Sequence, residues 1–222
     1  MARMARVVVP GIPHHITQRG NRRQKTFFHA DDYCAYIDLM SEWCLKYRVD
    51  IWAYCLMPNH THLIAVPSNK EGLRKTIGEA HRRYTRMVNF REGWRGHLWQ
   101  GRFFSFPMDN RHLYSAVRYI ELNPVRSGLV KKPENYALSS ANAHITGFND
   151  ELVKVHPLLD LFGNWGKLLS HPIKEKNAEE IRLHERTGRP LGTKQFTDAL
   201  EKMVGRVLTP GTPGPKSLKI DN

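Results

Sequence analysis

Residues 51 to 66 hold two apolar runs that meet across a single turn, and this stretch restricts the fold more than any other. Ile51-Trp52-Ala53-Tyr54-Cys55-Leu56-Met57 is aromatic and apolar throughout, the composition of a buried strand. Pro58-Asn59 is a tight-turn pair, because Pro presets φ and Asn can bond its own backbone. His60-Thr61-His62-Leu63-Ile64-Ala65-Val66 then reads as a returning strand, ended by Pro67. The two runs make a hairpin, and the rest of a sheet has to be found around it.

Upstream, His14-His15-Ile16-Thr17-Gln18 is a strand candidate, closed by the basic turn Arg19-Gly20-Asn21-Arg22. A helix is expected from about Asp31, capped by Asp31 or Asp32, with Tyr33, Tyr36, Ile37, Met40, Trp43, Cys44 and Tyr47 at helical spacing on one face. Downstream, a second helix is expected over roughly Glu71 to Phe90. Leu73, Ile77, Ala80, Tyr84 and Val88 form its inner stripe, and Arg74, Lys75, His81, Arg82, Arg83 and Arg86 its outer face. Trp99 to Pro107 reads as a fourth strand, and Asp109 or Asn110 caps a third helix that carries Leu113, Val117, Ile120 and Leu122 into Asn123-Pro124. The order β-α-β-β-α-β plus one helix is the ferredoxin-like split arrangement, an α+β fold with an antiparallel sheet and helices on one face.

Lys plus Arg number 34 against 21 Asp plus Glu, a net charge of +13 that favours a polyanionic partner, nucleic acid before an anionic membrane surface. No apolar run approaches the ~18 residues that span a bilayer, and the apolar stretch near the N-terminus is too short for a signal-peptide core. Cys34, Cys44 and Cys55 are odd in number and lack CxxC spacing, which argues against a disulfide framework or a cysteine zinc site. The chain reads as cytoplasmic. Beyond about residue 135 the pattern loosens to a short helix over His156 to Leu169 and clearer helices over Ala178 to Arg186 and Thr193 to Val204. Residues 7–135 are expected to form the main unit, 136–208 a helical extension and 209–222 a flexible basic tail. The extension is either a small DNA-reading module or an arm packed on the main unit.

His60 and His62 stand at i and i+2 on a strand, so both imidazoles point to one side, as two nitrogen ligands of a divalent cation would. With 12 His in 222 residues, a chance His-x-His is expected about as often as not. Tyr119 and Asn123 stand at i and i+4 on the third helix, one face and about one turn apart. A tyrosine there can act as a nucleophile toward phosphate, and Asn123 can offer an amide oxygen to the same cation. The plainer alternative is a core tyrosine and a helix-ending Asn before Pro124. Tyr114, five residues before Tyr119, points well away from that face.

Taken in order, Met57-Pro58-Asn59-His60-Thr61-His62-Leu63, Trp99-Gln100-Gly101-Arg102-Phe103 and Tyr119-Ile120-Glu121-Leu122-Asn123-Pro124-Val125-Arg126-Ser127-Gly128-Leu129-Val130 closely resemble the single-tyrosine HUH transposases, above all their REP-associated branch. The resemblance covers about residues 7 to 140, with His14 to Asn21 fitting the opening strand. It implies a ferredoxin-like catalytic domain, Mg²⁺ or Mn²⁺ as cofactor, and single-stranded DNA, often hairpin-bearing, as substrate. It makes His60 and His62 metal ligands, Tyr119 the nucleophile that forms a 5′-phosphotyrosine, and Asn123 the third ligand. Asn123 departs from much of the wider group, where a Gln, longer by one methylene, stands four residues after the tyrosine. Monomer and homodimer both remain open.

Two basic clusters fit a groove that tracks a DNA backbone: the turn with Arg19, Arg22, Arg23 and Lys25, and the helix face with Arg82, Arg83 and Arg86. Gln100 and Arg102 are placed to face phosphate at a strand end, with a surface polar pair as the alternative. Trp52, Tyr54, Trp94 and Trp99 are either base-stacking or core residues. Three other functions compete: a nicking protein without strand transfer, an RNA-recognition module and a zinc hydrolase. The second normally carries a Lys/Arg-Gly-Phe type motif, absent here, and the third leaves Tyr119 idle.

Overall fold

The hairpin forms as its sequence directs: β2 (Val49–Met57) and β3 (His60–Pro67) pair antiparallel across Pro58-Asn59. The computed structural model describes residues 4–210. β1 (His14–Arg19) pairs antiparallel with β3, placing Thr17 opposite His62 and His15 opposite Ile64. β4 (Phe104–Pro107) closes the other side of β1. The links β1–α1–β2 and β3–α2–β4, through α1 (Ala30–Tyr47) and α2 (Gly72–Glu92), each step over one strand. The resulting order, β2-β3-β1-β4, is the ferredoxin-like one.

Side-chain alternation splits the sheet into two faces. Ile16, Leu56, Leu63 and Ala65 pack against Tyr36 and Met40 of α1 and Leu73, Ile77 and Tyr84 of α2. These two helices share one face, as expected. On the other face, Cys55, Ile64 and Phe106 pack against Leu113, Val117 and Ile120 of α3 (Asn110–Glu121). Asp109 caps α3 by accepting from the N–H of His112 at 3.0 Å. The short α4 (Asn123–Arg126) follows, with Pro124 in its first turn, where a missing N–H costs nothing.

The C-terminal third covers this second face. α5 (Ala141–Thr146), α6 (His156–Phe162), α7 (Trp165–Leu169) and α8 (Glu175–Thr187) lie between residues 141 and 187. The stretch His156 to Leu169, read as one helix, breaks at Gly163, whose φ of +67° suits glycine alone, and Asn164 caps the new start. Trp165, Leu168, Ala178 and Ile181 join the core beneath α3. Glu121, fully buried, lies 2.6 Å from Ser140 Oγ, 2.7 Å from His144 Nδ1 and 2.7 Å from Trp165 Nε1, which ties α3 to α5 and α7. Leu191 then bonds the backbone of Pro107 and Asp109, and α9 (Lys194–Val204) buries Leu200 against Val7 and Val9. From residue 211 on, the expected basic tail lies outside the described residues.

Three local expectations are corrected. The fourth strand does not extend back to Trp99, because Gly101, at φ +91°, breaks the extended backbone and leaves Trp99 only an isolated bridge to Gly20. His81 is not on the outer face of α2: it is 6% exposed, its Nε2 lies 2.8 Å from Tyr36 Oη, and its ring stacks on Trp99. The cap of α1 is His29 rather than Asp31 or Asp32. Asp32 instead accepts the N–H groups of Phe28 (2.7 Å) and His29 (3.1 Å) and receives the Arg91 guanidinium.

Burial would push the Asp32 carboxyl up, yet Arg91 and the two N–H groups hold it below the usual carboxylate range. A depressed folded pKa stabilises the fold above the unfolded value of ~3.9 and ceases to do so as pH falls through the lower folded value. Asp32→Asn should therefore cost about 1–3 kcal/mol at neutral pH. Denaturant midpoints taken from pH 7 to pH 3 should show the gap to wild type narrowing only below about pH 4.

Candidate active site

β3 presents His60 and His62 on the α3 face of the sheet, the same side as Ile64. Their ring centroids are 4.9 Å apart. Nδ1 of His60 lies 2.6 Å from Asn59 Oδ1, so the turn residue orients the first ring. α3 brings Tyr119 edge-on to His62, centroids 5.6 Å apart, and to His15 at 6.2 Å. The Arg126 guanidinium stands 4.7 Å over the Tyr119 ring. Across the break between α3 and α4, Asn123 reaches the same cluster, its Nδ2 3.4 Å from His60 Nε2. The sequence-derived set Tyr119, His60, His62 and Asn123 is thus gathered in one place.

Several neighbours escaped sequence reading. His15 Nε2 lies 3.0 Å from His62 Nδ1. Alternation on β1 puts His15 and Thr17 on one face, but only the β1–β3 register brings them to His62. From α8, Glu185 Oε1 accepts the Thr17 hydroxyl at 3.0 Å and lies 3.5 Å from His62 Nδ1. Arg182, one turn before Glu185, brings its guanidinium close to the Tyr119 phenol. No local signal marks either residue, since both arrive by packing of a helix far away in sequence.

Burial governs the electrostatics. It lowers His15 to about 3 and His60 to about 4, the latter helped by the positive charge of Arg19. Burial and the neighbouring imidazoles put His62 well below its usual value. All three rings are neutral at physiological pH, the form that binds a metal ion. Burial and the negative charge of Glu185 raise Tyr119, opposed by the nearby guanidinium groups of Arg182 and Arg126. Burial pushes the Glu185 carboxyl up to about 7, against the Thr17 hydrogen bond and Arg19, Arg182 and Arg126.

Two sets of cation donors share His62. The first is His60, His62 and Asn123. The 3.4 Å between Asn123 Nδ2 and His60 Nε2 matches two ligands of one ion with bonds of ~2.1 Å. A half-turn of the amide, which exchanges atoms of similar size, presents Oδ1 to such an ion, so these residues fit a small divalent cation. The second set is His62 with His15 and Glu185.

The basic residues divide between the two sides. Arg19 stands beside the histidines, and Arg22 and Arg23 are exposed on the adjoining turn, where the Arg23 carbonyl accepts from Asn59 Nδ2 at 3.2 Å. Gly20 permits that turn, since a Cβ there would fall 2.2 Å from the Gln24 carbonyl oxygen. Arg82, Arg83 and Arg86 are exposed on α2, across the sheet from Tyr119. Arg82 is paired with Glu79, and Arg83 lies over Trp43. Arg82 and Arg102 line a recess of about 570 Å³ with Gln18, His81 and Trp99, while Gln100 is exposed outside it. Trp99 and Tyr54 are core, and Trp94 is 46% exposed.

A family model described as "Transposase IS200 like" matches residues 8–123. A curated protein of Haemophilus influenzae, provisionally named a REP-associated tyrosine transposase, is 27% identical over 108 residues, which cover 44% of this chain and 61% of that protein. The chain therefore spans about three-fifths of the length of that relative. The solved structure of a REP-associated tyrosine transposase bound to a REP hairpin is similar in fold, with a TM-score of 0.54 and 21% identity over 68% of this chain and 90% of the other.

Proposed function

The chain belongs to the IS200-like transposase family, and on that premise we propose that it cleaves and rejoins single-stranded DNA through a 5′-phosphotyrosine on Tyr119. The observation that carries this reading is the placement of the Tyr119 ring against His62, 5.6 Å away, with Asn123 beside His60. His60, His62 and Asn123 would hold Mg²⁺ or Mn²⁺. Such an ion, when bound, offsets negative charge on a phosphate oxygen as the phosphorus is attacked.

Tyr119 Oη forms a bond to phosphorus while the P–O3′ bond breaks, and the phenol proton is balanced by the one gained at the departing 3′ oxygen. One phosphodiester is exchanged for another, so the reverse reaction with a second strand needs no nucleotide cofactor. Tyr119 has to lose its proton in a site where burial opposes the phenolate. Arg182 and Arg126 oppose that penalty and favour the anion as it develops.

The DNA path is assigned to Arg19, Arg22 and Arg23 beside the histidines and to Arg82, Arg83, Arg86, Gln100 and Arg102 around the far recess. The net charge of +13 supports backbone contacts of this kind. The hairpin in the similar solved structure supports a hairpin-bearing strand as substrate. Residues 136–208 are assigned to the same working unit, because α8 supplies groups beside Tyr119. No described helix is long and apolar enough to cross a membrane. Either a monomer or a homodimer accommodates these roles.

The test pairs a labelled hairpin-bearing single strand with an unlabelled acceptor strand in the presence of Mn²⁺. A labelled product longer than the input supports strand transfer. Cut strands that never appear in a longer product reduce the activity to nicking, and an uncut substrate removes the reading altogether.

A further inference from the structure

We propose that His15, His62 and Glu185 form a second cation site, suited to a four-coordinate ion of the Zn²⁺ class. Only its relation to the catalytic set rests on the function proposed above. The three donor atoms already form a small triangle: His15 Nε2 to His62 Nδ1 is 3.0 Å, His62 Nδ1 to Glu185 Oε1 is 3.5 Å, and His15 Nε2 to Glu185 Oε1 is 3.7 Å. An ion with bonds of ~2.0–2.1 Å in tetrahedral array keeps its donors about 3.4 Å apart. The triangle needs adjustments of only a few tenths of an ångström to close on one.

The donors come from three separate elements, β1, β3 and α8, so the fold assembles them rather than a local motif. Thr17 Oγ1, 3.0 Å from Glu185 Oε1 and 3.4 Å from His62 Nδ1, stands beside the position left for a fourth ligand. His15 and His62 are 1% and 3% exposed. The two imidazoles therefore lie away from bulk water while Glu185 is partly exposed, and two imidazoles with one carboxyl favour a borderline ion over the oxygen-seeking Mg²⁺. Phe106 fixes the His15 ring edge-on at 5.2 Å. These features amount to a two-histidine, one-carboxylate set of donors gathered around one point.

His62 sets this site apart from the one assigned to catalysis. The second site uses Nδ1, which faces His15, and leaves only Nε2 for an ion shared with His60 and Asn123. A neutral imidazole has one free lone pair, so an ion on Nδ1 leaves the proton on Nε2. The two uses of His62 exclude one another unless the ring loses both protons. An ion held by Glu185 would also clamp α8 onto the β1–β3 pair.

Cobalt is the probe, because four-coordinate Co²⁺ absorbs strongly in the visible while six-coordinate Co²⁺ is pale. Co²⁺ titrated into the wild-type chain without DNA should give strong bands that one equivalent of Zn²⁺ removes. Glu185→Gln should lose the bands and bind Zn²⁺ on the order of 100-fold more weakly, whereas His60→Ala should keep them. Circular dichroism in chelator establishes that each variant is folded. Should Glu185→Gln not fold, X-ray absorption on Zn²⁺-loaded wild type and His60→Ala decides, with two imidazoles and a carboxylate expected in both. Pale wild-type protein, or bands lost in His60→Ala and kept in Glu185→Gln, would overturn the site. A chain that shows the bands but never cuts DNA overturns only the proposed function, and one that cuts DNA with Mn²⁺ but stays pale overturns only this site.

Discussion

Tyr119→Phe should lower covalent protein–DNA adduct formation by at least about 10³-fold, since it removes the attacking atom and leaves the remaining binding groups in place. The substitution deletes one oxygen. The ring keeps its edge contacts with His62 and His15 and its place beneath Arg126. Only the polar contact of the phenol with the nearby Arg182 guanidinium is lost, which costs at most about 1 kcal/mol and should leave the fold intact. Tyr114→Phe is the matched control. Tyr114 is 38% exposed, beside Phe162 and Arg118, and its loss should not change adduct yield. Gel-resolved adducts with a labelled strand read both variants.

His62→Ala should lower cleavage on the order of 10²-fold or more, the loss expected when one ligand of a catalytic cation is removed. His62 is 3% exposed and stands among His15, His60 and Tyr119, so truncation also leaves a cavity. That cavity should cost about 1–3 kcal/mol, which a melting curve separates from the catalytic defect. Chelation should reproduce the loss in wild type, and excess Mn²⁺ should restore it. In His62→Ala chelation should remove little further activity. A variant that keeps a full Mn²⁺ response would take His62 out of the ligand set.

What could be read from the chain and what could not divide along physical lines. The hairpin, the shared face of His60 and His62, the pairing of Tyr119 with Asn123 and the Asp109 cap all follow from the periods of strands and helices. They are local properties. Whether Tyr119 would lie near His62 was not local, and the resemblance to a known family supplied that expectation. His15 entered through a strand register, which alternation alone does not set. Glu185 and Arg182 entered through the packing of α8, on a segment whose sequence read only as a helix. The errors have the same origin: α2 turns His81 inward to meet Tyr36 and Trp99, and Gly101 ends a strand that apolar composition alone would have extended.

The side chain that becomes joined to DNA tests the central claim most directly. Protein trapped on its substrate in Mn²⁺, digested and read by tandem mass spectrometry should carry a 5′-phosphoryl nucleotide on Tyr119. The same mass on Tyr114 or any other residue, or cleaved DNA with no protein attached, would contradict it.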